Sequence, residues 1–288
     1  MQSYTFNSIE NSLPFKVAIL DMNEGHANQG MRCIREIVQQ FSVANNISIE
    51  VTEFDVRVEK EIPDLSFDAY ISSGGPGSPL DSIDTDWDIE FTNWIDEVER
   101  YNRQDDNADK KSIFFICHSY QIACRHYSVA NVCKRRSTSF GVFPIHALED
   151  AITEEPTFAG LKNPFYGVDS RDFQVIQPNH QRLREMGASI LCIEKERPHV
   201  VLERAIMAIR FNEYFVGTQF HPEADAVGMS LHLQNDDRKK TVIDNHGFEK
   251  WQSMIEQLND PEKILYTHDH ILPNFLKEAY KKKIEVLA

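Results

Sequence analysis

The stretch Ser112-Ile113-Phe114-Phe115-Ile116-Cys117-His118-Ser119-Tyr120-Gln121 decides the reading of this 288-residue chain. An unbroken apolar run ending abruptly is the signature of a strand buried on both faces, as in a parallel sheet. At Cys117 the pattern changes, and HSYQIACRHYSVA (118–130) reads as a helix. A cysteine at such a junction stands at the carboxyl edge of the sheet, where open α/β folds bind their ligands. The free N–H groups and positive end of the next helix favour a thiolate there. Cysteine is also among the most buried residue types, so the junction alone leaves a packing thiol and a nucleophile both open.

Working outward, KVAILD (16–21) is a second compact apolar strand, and Met31, Ile34, Val38 and Phe41 follow at helical spacing. ISIEVTEFDV (47–56) alternates with period two and is rich in β-branched residues, so it predicts a strand. DAYISSGGPGSP (68–79) is a strand running into a glycine turn, followed by Trp87, Phe91, Trp94, Ile95, Val98 and Tyr101 on one helix face. Strand–helix alternation of this kind predicts a doubly wound, mostly parallel sheet with helices on both faces. Past residue 137 the strands crowd together in SFGVFPIHAL, DFQVIQ, ASILCIEKE, VLERAIMAIRF and EYFVGTQF, which predicts a β-hairpin insertion at one end of the sheet. From about residue 230 the chain is polar and helical, with Phe248, Trp251, Met254, Ile255 and Leu258 on one face and Phe275, Leu276, Tyr280 and Ile284 on another. The expected organisation is one domain over 1–229 and a helical C-terminal extension over 230–288. The opening MQSYTFNSIENSLPFK lacks the pattern of a signal peptide and reads as a polar lead-in.

Composition narrows the function classes. Lys and Arg number 30 against 45 Asp and Glu, a net charge of −15, which argues against a nucleic-acid binder. Lys134-Arg135-Arg136 is too short a basic run to reverse that. Hydrophobic residues at 41% suffice for a large core, while no run of about 18 apolar residues predicts a membrane span. Five cysteines without framework spacing or a CxxC pair fit reduced thiols in a cytoplasm, with no zinc site. His268-Asp269-His270 lacks a full ligand set and reads as helix capping. Lys281-Lys282-Lys283 reads as the basic end of a helix. The acidic stretch Asp81 to Glu90 reads as a helix start and solvated face, with a partner-docking rim as the weaker option.

Two distant segments bear on Cys117. GTQFHPEAD (217–225) is a strand ending in His221-Pro222-Glu223, which can present imidazole and carboxylate to each other and so supply a general base with its orienting group. SSGGPGSP (72–79) is a glycine turn in which a backbone N–H can approach an oxyanion. Each segment alone is equally an ordinary turn or a surface histidine.

Taken in order, GGPGSP, FICHSYQ and GTQFHPE resemble the three signatures of the class I glutamine amidotransferases, over roughly residues 16–225. The resemblance implies a flavodoxin-like fold and hydrolysis of the glutamine side-chain amide to glutamate and ammonia, without cofactor or metal. It implies Cys117 as nucleophile, His221 as base and then acid, and Glu223 as the orienting carboxylate. The oxyanion hole would be the N–H groups of Gly75 and His118, and Gln121 would help hold substrate. QPNHQR (177–182) resembles the segment that reads the amino-acid end of the substrate, making Asn179, His180 and Gln181 candidates, although a polar loop between strands explains it equally. The chain departs from the pattern at Phe115 and Ser119, where the family usually has glycine. Phe115 must therefore point away from the turn or reshape the pocket. Nothing after residue 225 resembles a synthetase or a P-loop, so ammonia is expected to pass to a separate subunit or to be released, with a homo-oligomer also open. A homoserine O-acyltransferase, a γ-glutamyl peptidase and a non-catalytic binding module on the same scaffold remain as alternatives.

Overall fold

The apolar runs become the centre of a ten-stranded sheet. In chain order the elements are β1 (Gln2–Phe6), β2 (Phe15–Asp21), α1 (Gln29–Asn45), β3 (Ile49–Asp55), β4 (Ala69–Ser72), α2 (Asp86–Arg103), β5 (Ser112–Ile116) and α3 (His118–His126). They continue with β6 (Ala130–Ala147), α4 (Glu149–Glu154), β7 (Phe165–Pro178), α5 (His180–Met186), β8 (Ser189–Glu194), β9 (Ile206–Arg210), β10 (Phe215–Thr218) and α6 (Ala226–Gln234), and close on helices at Phe248–Leu258, Ile264–His268 and Ile271–Leu287. This computed structural model describes all residues except 9–12, 199–200, 235–238, 241–242, 245–246, 259, 261–262 and 288. The side chain of Met254 lies outside the described residues, so its place on the expected apolar face goes unassigned.

The strand order is β1-β3-β2-β4-β5-β10-β9-β8-β6-β7. β3, β2, β4, β5 and β10 run parallel, and Cys117 directly follows β5, which stands between β4 and β10 at the middle of the whole sheet. The expected hairpins are present, but they extend the same sheet: β9 pairs antiparallel with β10, β8 with β9, β6 with β8 and β7 with β6. The lead-in is also corrected, since Gln2–Phe6 forms an edge strand antiparallel to β3. Its Tyr4 hydroxyl donates to Glu53 at 2.7 Å and Ser3 meets Thr52 at 2.9 Å, while Tyr4 and Phe6 turn inward onto the core, a single alternation too short to stand out in the sequence.

Alternation along the strands divides the core in two. Val17, Ile19, Ile71, Phe114, Ile116 and Val216 face α1, whose Met31, Ile34, Ile37 and Val38 are buried against them. Ala18, Leu20, Tyr70, Ile113, Phe115 and Phe215 face α2 and α3 through Phe91, Trp94, Ile95, Tyr120 and Ile122. Helix α1 is set by Asn28, which caps the Gly30 N–H, and is stopped by Asn46 in the left-handed region at φ 52°. Asp86 and Asp88 open α2 while Arg100 and Arg103 close it, matching the helix dipole at both ends.

Beyond 229, the closing helix joins the first of these cores, while Leu258 and Ile264 pack with Val142, Val168 and Met229 in a smaller cluster. Ile271, Leu272, Phe275 and Leu276 are almost fully buried, and the Phe275 ring meets Phe114 of the central strand at 5.3 Å. Lys283 donates to Pro14 O and Asp68 Oδ2, both at 2.6 Å, so the basic run is partly spent on tethering the closing helix to the sheet. Phe275→Ala is expected to cost about 3–5 kcal/mol, read as a drop in the denaturation midpoint. A loss within about 0.5 kcal/mol, as for a surface change, would refute that anchoring.

Candidate active site

Cys117 adopts φ 48°, ψ −94°, a strained conformation for a residue with a side chain, between the last residue of β5 and the first of α3. Two backbone hydrogen bonds hold it: its N–H donates to Thr218 O at 2.7 Å and its carbonyl accepts from Gln121 N at 3.0 Å. The turn aims the sulfur at the carboxyl edge of the sheet. There the thiol faces Ser170 O at 3.8 Å and receives Gln219 Nε2 at 3.6 Å. The His221 ring lies beside Cys117, the two meeting over Gly74, and its Nδ1 lies 2.8 Å from Glu223 Oε1. A methyl built on Gly74 would stand 2.8 Å from His221 Cε1 and 3.5 Å from Cys117 Cβ, so only glycine fits beside the pair. The loop carrying the histidine is stitched to β7 by the His221 N–H donating to Val168 O at 2.8 Å.

Burial alone would push the His221 imidazole towards neutrality. The carboxylate of Glu223 and the sulfur of Cys117 outweigh it, and the ring is held well above its ordinary 6.5. Because the folded value is raised, the stability this ring contributes is present below pH 6.5 and lost as pH rises through the folded value. Glu223→Gln removes the strongest upward influence, so an NMR titration of the ring is expected to move to lower pH. An unmoved titration would show that the carboxylate does not act on the imidazole.

The departures from the glycine pattern have clear local solutions. Phe115 points to the face opposite Cys117, packing edge-on against Phe91, Phe211 and Phe215. Opposite it in register stands Gly217, where a Cβ would come within 3.0 Å of Phe115 Cβ and 2.9 Å of Tyr120 Cδ2. Ser119 is fully buried; its hydroxyl sits 2.9 Å from Ser72 O and accepts the Ile116 N–H at 2.9 Å, pinning the ends of β4 and β5 together.

The glycine loop is fixed from beneath. Arg57 Nη1 donates to Pro76 O at 2.6 Å, and its guanidinium lies 4.9 Å from the centre of the Trp87 ring. Arg125 donates to Pro79 O and grips both Asp88 oxygens at 2.6 and 2.7 Å. A Cβ on Gly75 would fall 2.1 Å from Met22 O, so this turn packs backbone on backbone. His118, as the first residue of α3, has an N–H without an intrahelical acceptor. Burial, then Arg57 and Arg125, push its imidazole down to about 3, so the ring adjoining the thiol is uncharged at neutral pH.

The substrate candidates separate. Gln121 is buried behind the sulfur: its Nε2 donates to Gln219 Oε1 at 3.0 Å, and Gln219 in turn reaches Cys117. Asn179, His180 and Gln181 are not brought to Cys117, which corrects the expectation for 177–182. Asn179 caps α5, donating to Val129 O at 2.8 Å from its N–H and to Ser128 O at 3.3 Å from its side chain. Those acceptors lie past the far end of α3, and nine helical residues at about 1.5 Å each put about 13 Å between them and the thiol. The β7 stretch that does reach the site is Val168–Arg171. Arg171 is buried, bonded to Asp169 at 2.8 Å and paired with Glu194 at 3.2 Å, which also takes Arg135 at 3.3 Å. Ser139 donates to the second Asp169 oxygen at 2.7 Å. This satisfied network fixes the strand whose Ser170 carbonyl faces the thiol. Gln219, Ser170 and Gly74 went unmarked by sequence reasoning, and only Gln219 and Gly74 lie inside motifs that could have flagged them.

Among the described residues no group of three or more His, Cys, Asp or Glu side chains converges to hold a metal ion. His268 and Asp269 pair with each other at 3.0 Å. No helix among the described residues is long and apolar enough to cross a membrane.

A doubly wound sheet with a cysteine on a strand-to-helix turn, met by a paired histidine and glutamate, defines a thiol-bearing α/β class. The family model "Glutamine amidotransferase class-I" matches residues 28–240, and the chain belongs to that family. A glutamine amidotransferase from Thermotoga maritima superposes with a TM-score of 0.61 at 14% identity, covering 93% of this chain and 99% of that one. A glutamine amido transferase from Methylobacillus flagellatus gives 0.53 at 14% identity, covering 95% and 94%. The Trypanosoma brucei CTPS glutaminase domain with bound acivicin gives 0.52 at 14% identity, covering 86% and 96%. At these identities the superpositions show the fold. No curated protein matches the sequence.

Proposed function

We propose that the chain hydrolyses the side-chain amide of glutamine through a thioester on Cys117. The observation that carries this reading is the pairing of His221 with Glu223 at 2.8 Å beside a cysteine at φ 48°. The Cys117 thiolate attacks the carboxamide carbon, and the oxyanion takes the N–H groups of Gly75 and His118. His221, already carrying the thiol proton, gives it to the departing nitrogen, and the carbon–nitrogen bond breaks to release ammonia. His221 then removes a proton from water, which attacks the γ-glutamyl thioester; glutamate leaves and the sulfur takes the proton back. Glu223 keeps the ring oriented and stabilises its charged form. Gln121, through Gln219, steadies the sulfur and the substrate side of the pocket.

The reading extends to a separate ammonia-consuming partner of synthetase type, supported by the CTPS glutaminase domain among the similar structures. Five cysteines without a disulfide fit a reducing, cytoplasmic setting. The test is incubation with glutamine, measuring ammonia and glutamate and seeking a γ-glutamyl adduct on Cys117 by intact mass after acid quench. Equimolar products with a transient adduct support the reading. Inertness towards glutamine, with acyl transfer from an acyl-CoA to homoserine instead, would replace it.

A further inference from the structure

Glu223 has one carboxylate oxygen on His221, while its buried Oε2 has no hydrogen-bond partner among the described residues. A buried carboxylate in that state is strongly disfavoured unless a positive charge or dipole faces it. Packed against the carboxylate, on its Oε1 side, is the first turn of α1, the positive end of a 17-residue helix. The contact is made at Gly30, where a Cβ would stand 3.1 Å from Glu223 Oε1 and 2.8 Å from the capping Asn28 Oδ1. Glycine is the poorest helix former after proline, so its presence in the first turn asks for a spatial reason. The same helix end is fastened to the loop beyond Glu223: Arg32 pairs with Asp225 at 2.8 Å, and Asp225 accepts the Gly228 N–H at 2.6 Å.

We propose that Gly30 is a positioning residue for the Cys117–His221–Glu223 relay, its missing side chain letting the positive end of α1 seat directly against the Glu223 carboxylate. The inference rests on the role proposed above for Glu223. The titratable and charged groups facing that carboxylate are His221 on its own loop, Cys33 on α1, and the Arg32–Asp225 pair. The Cys33 thiol is pushed up to about 12 by burial and by Asp225 and Glu223, so it brings no charge to the contact at neutral pH.

The experiment is the rate of Cys117 alkylation by iodoacetamide against pH, in the full chain, with Gly30→Ala. Alanine suits the helix but displaces the cap and the carboxylate, so the fold is expected to survive. The alkylation midpoint is expected to rise by about one pH unit, slowing the neutral-pH rate about tenfold. Turnover of glutamine is expected to fall about ten- to a hundredfold, while the thermal midpoint moves little because alanine's helix propensity, about 1 kcal/mol better than glycine's, offsets the disturbed cap. In a Glu223→Ala background the same change is expected to do nothing further. Arg32→Met, which unties the helix end without filling space, is expected to shift the alkylation profile in the same direction. Wild-type profiles in both variants, or losses that simply multiply in the double variant, would overturn the proposal. Because alkylation needs no substrate, a shifted profile in a protein inert to glutamine upholds the positioning role and rejects the glutaminase reading alone.

Discussion

Cys117→Ala is expected to release no ammonia from glutamine while keeping the thermal midpoint and circular dichroism of the parent. Removing a covalent nucleophile costs about a millionfold in turnover in the best-measured case, because the remaining groups have no bond to make. The fold tolerates the change for a local reason. Cys117 is held by its main chain, through Thr218 O and the Gln121 N–H, and alanine retains both bonds. Only the sulfur is lost, with its contacts to Ser170 O and Gln219 Nε2. Residual ammonia release above about one part in a thousand of the parent, well above the expected loss, would show that the sulfur is not the attacking atom.

Gly75→Ala is expected to lower turnover about a hundred- to a thousandfold, the scale of losing one oxyanion donor, or about 3 kcal/mol of barrier. The new Cβ would meet Met22 O at 2.1 Å and the Met22 carbonyl carbon at 2.9 Å, and neither can rotate away as a side chain would. The turn must shift, and its N–H shifts with it. Arg57 and Arg125 hold the neighbouring carbonyls of Pro76 and Pro79, so displacement concentrates at Gly75 rather than spreading along the loop. The alkylation rate of Cys117 is expected to stay near that of the parent, since His221 and Glu223 lie on another segment. A variant that turns over normally, or one that loses alkylation and turnover together, would count against the donor role.

Much of the architecture was legible because burial on both faces leaves no ambiguity in a run such as SIFFI, and because KVAILD and AYIS repeat the device. Gln2–Phe6 was not legible, since its inward residues Tyr4 and Phe6 make only one alternation in an otherwise polar stretch. Nor was the anchoring of the closing helix, whose partners Phe114 and Pro14 lie far away in sequence. At the site, motifs mark residues fixed by local backbone: Cys117 by its turn, Gly75 by close approach, His221 and Glu223 by a two-residue spacing. The 177–182 stretch misled because β7 runs on to Pro178, carrying the polar loop well past the thiol. Val168–Arg171 reads as an unremarkable polar patch in a strand. Only the meeting of Arg171 and Asp169 of β7 with Glu194 of β8 and Arg135 of β6 explains why such residues are buried there.

The bulk of Phe115 and the bareness of Gly217, opposite each other across β5 and β10, lock the two positions together. Placing glycine at 115 would leave a phenyl-sized hole among Phe91, Phe211 and Phe215, a defect costing about 3–5 kcal/mol. Enlarging 217 first would drive a methyl into Phe115 and Tyr120. Either change alone is therefore penalised, so the volume tolerated at one rung is set by the side chain on the other.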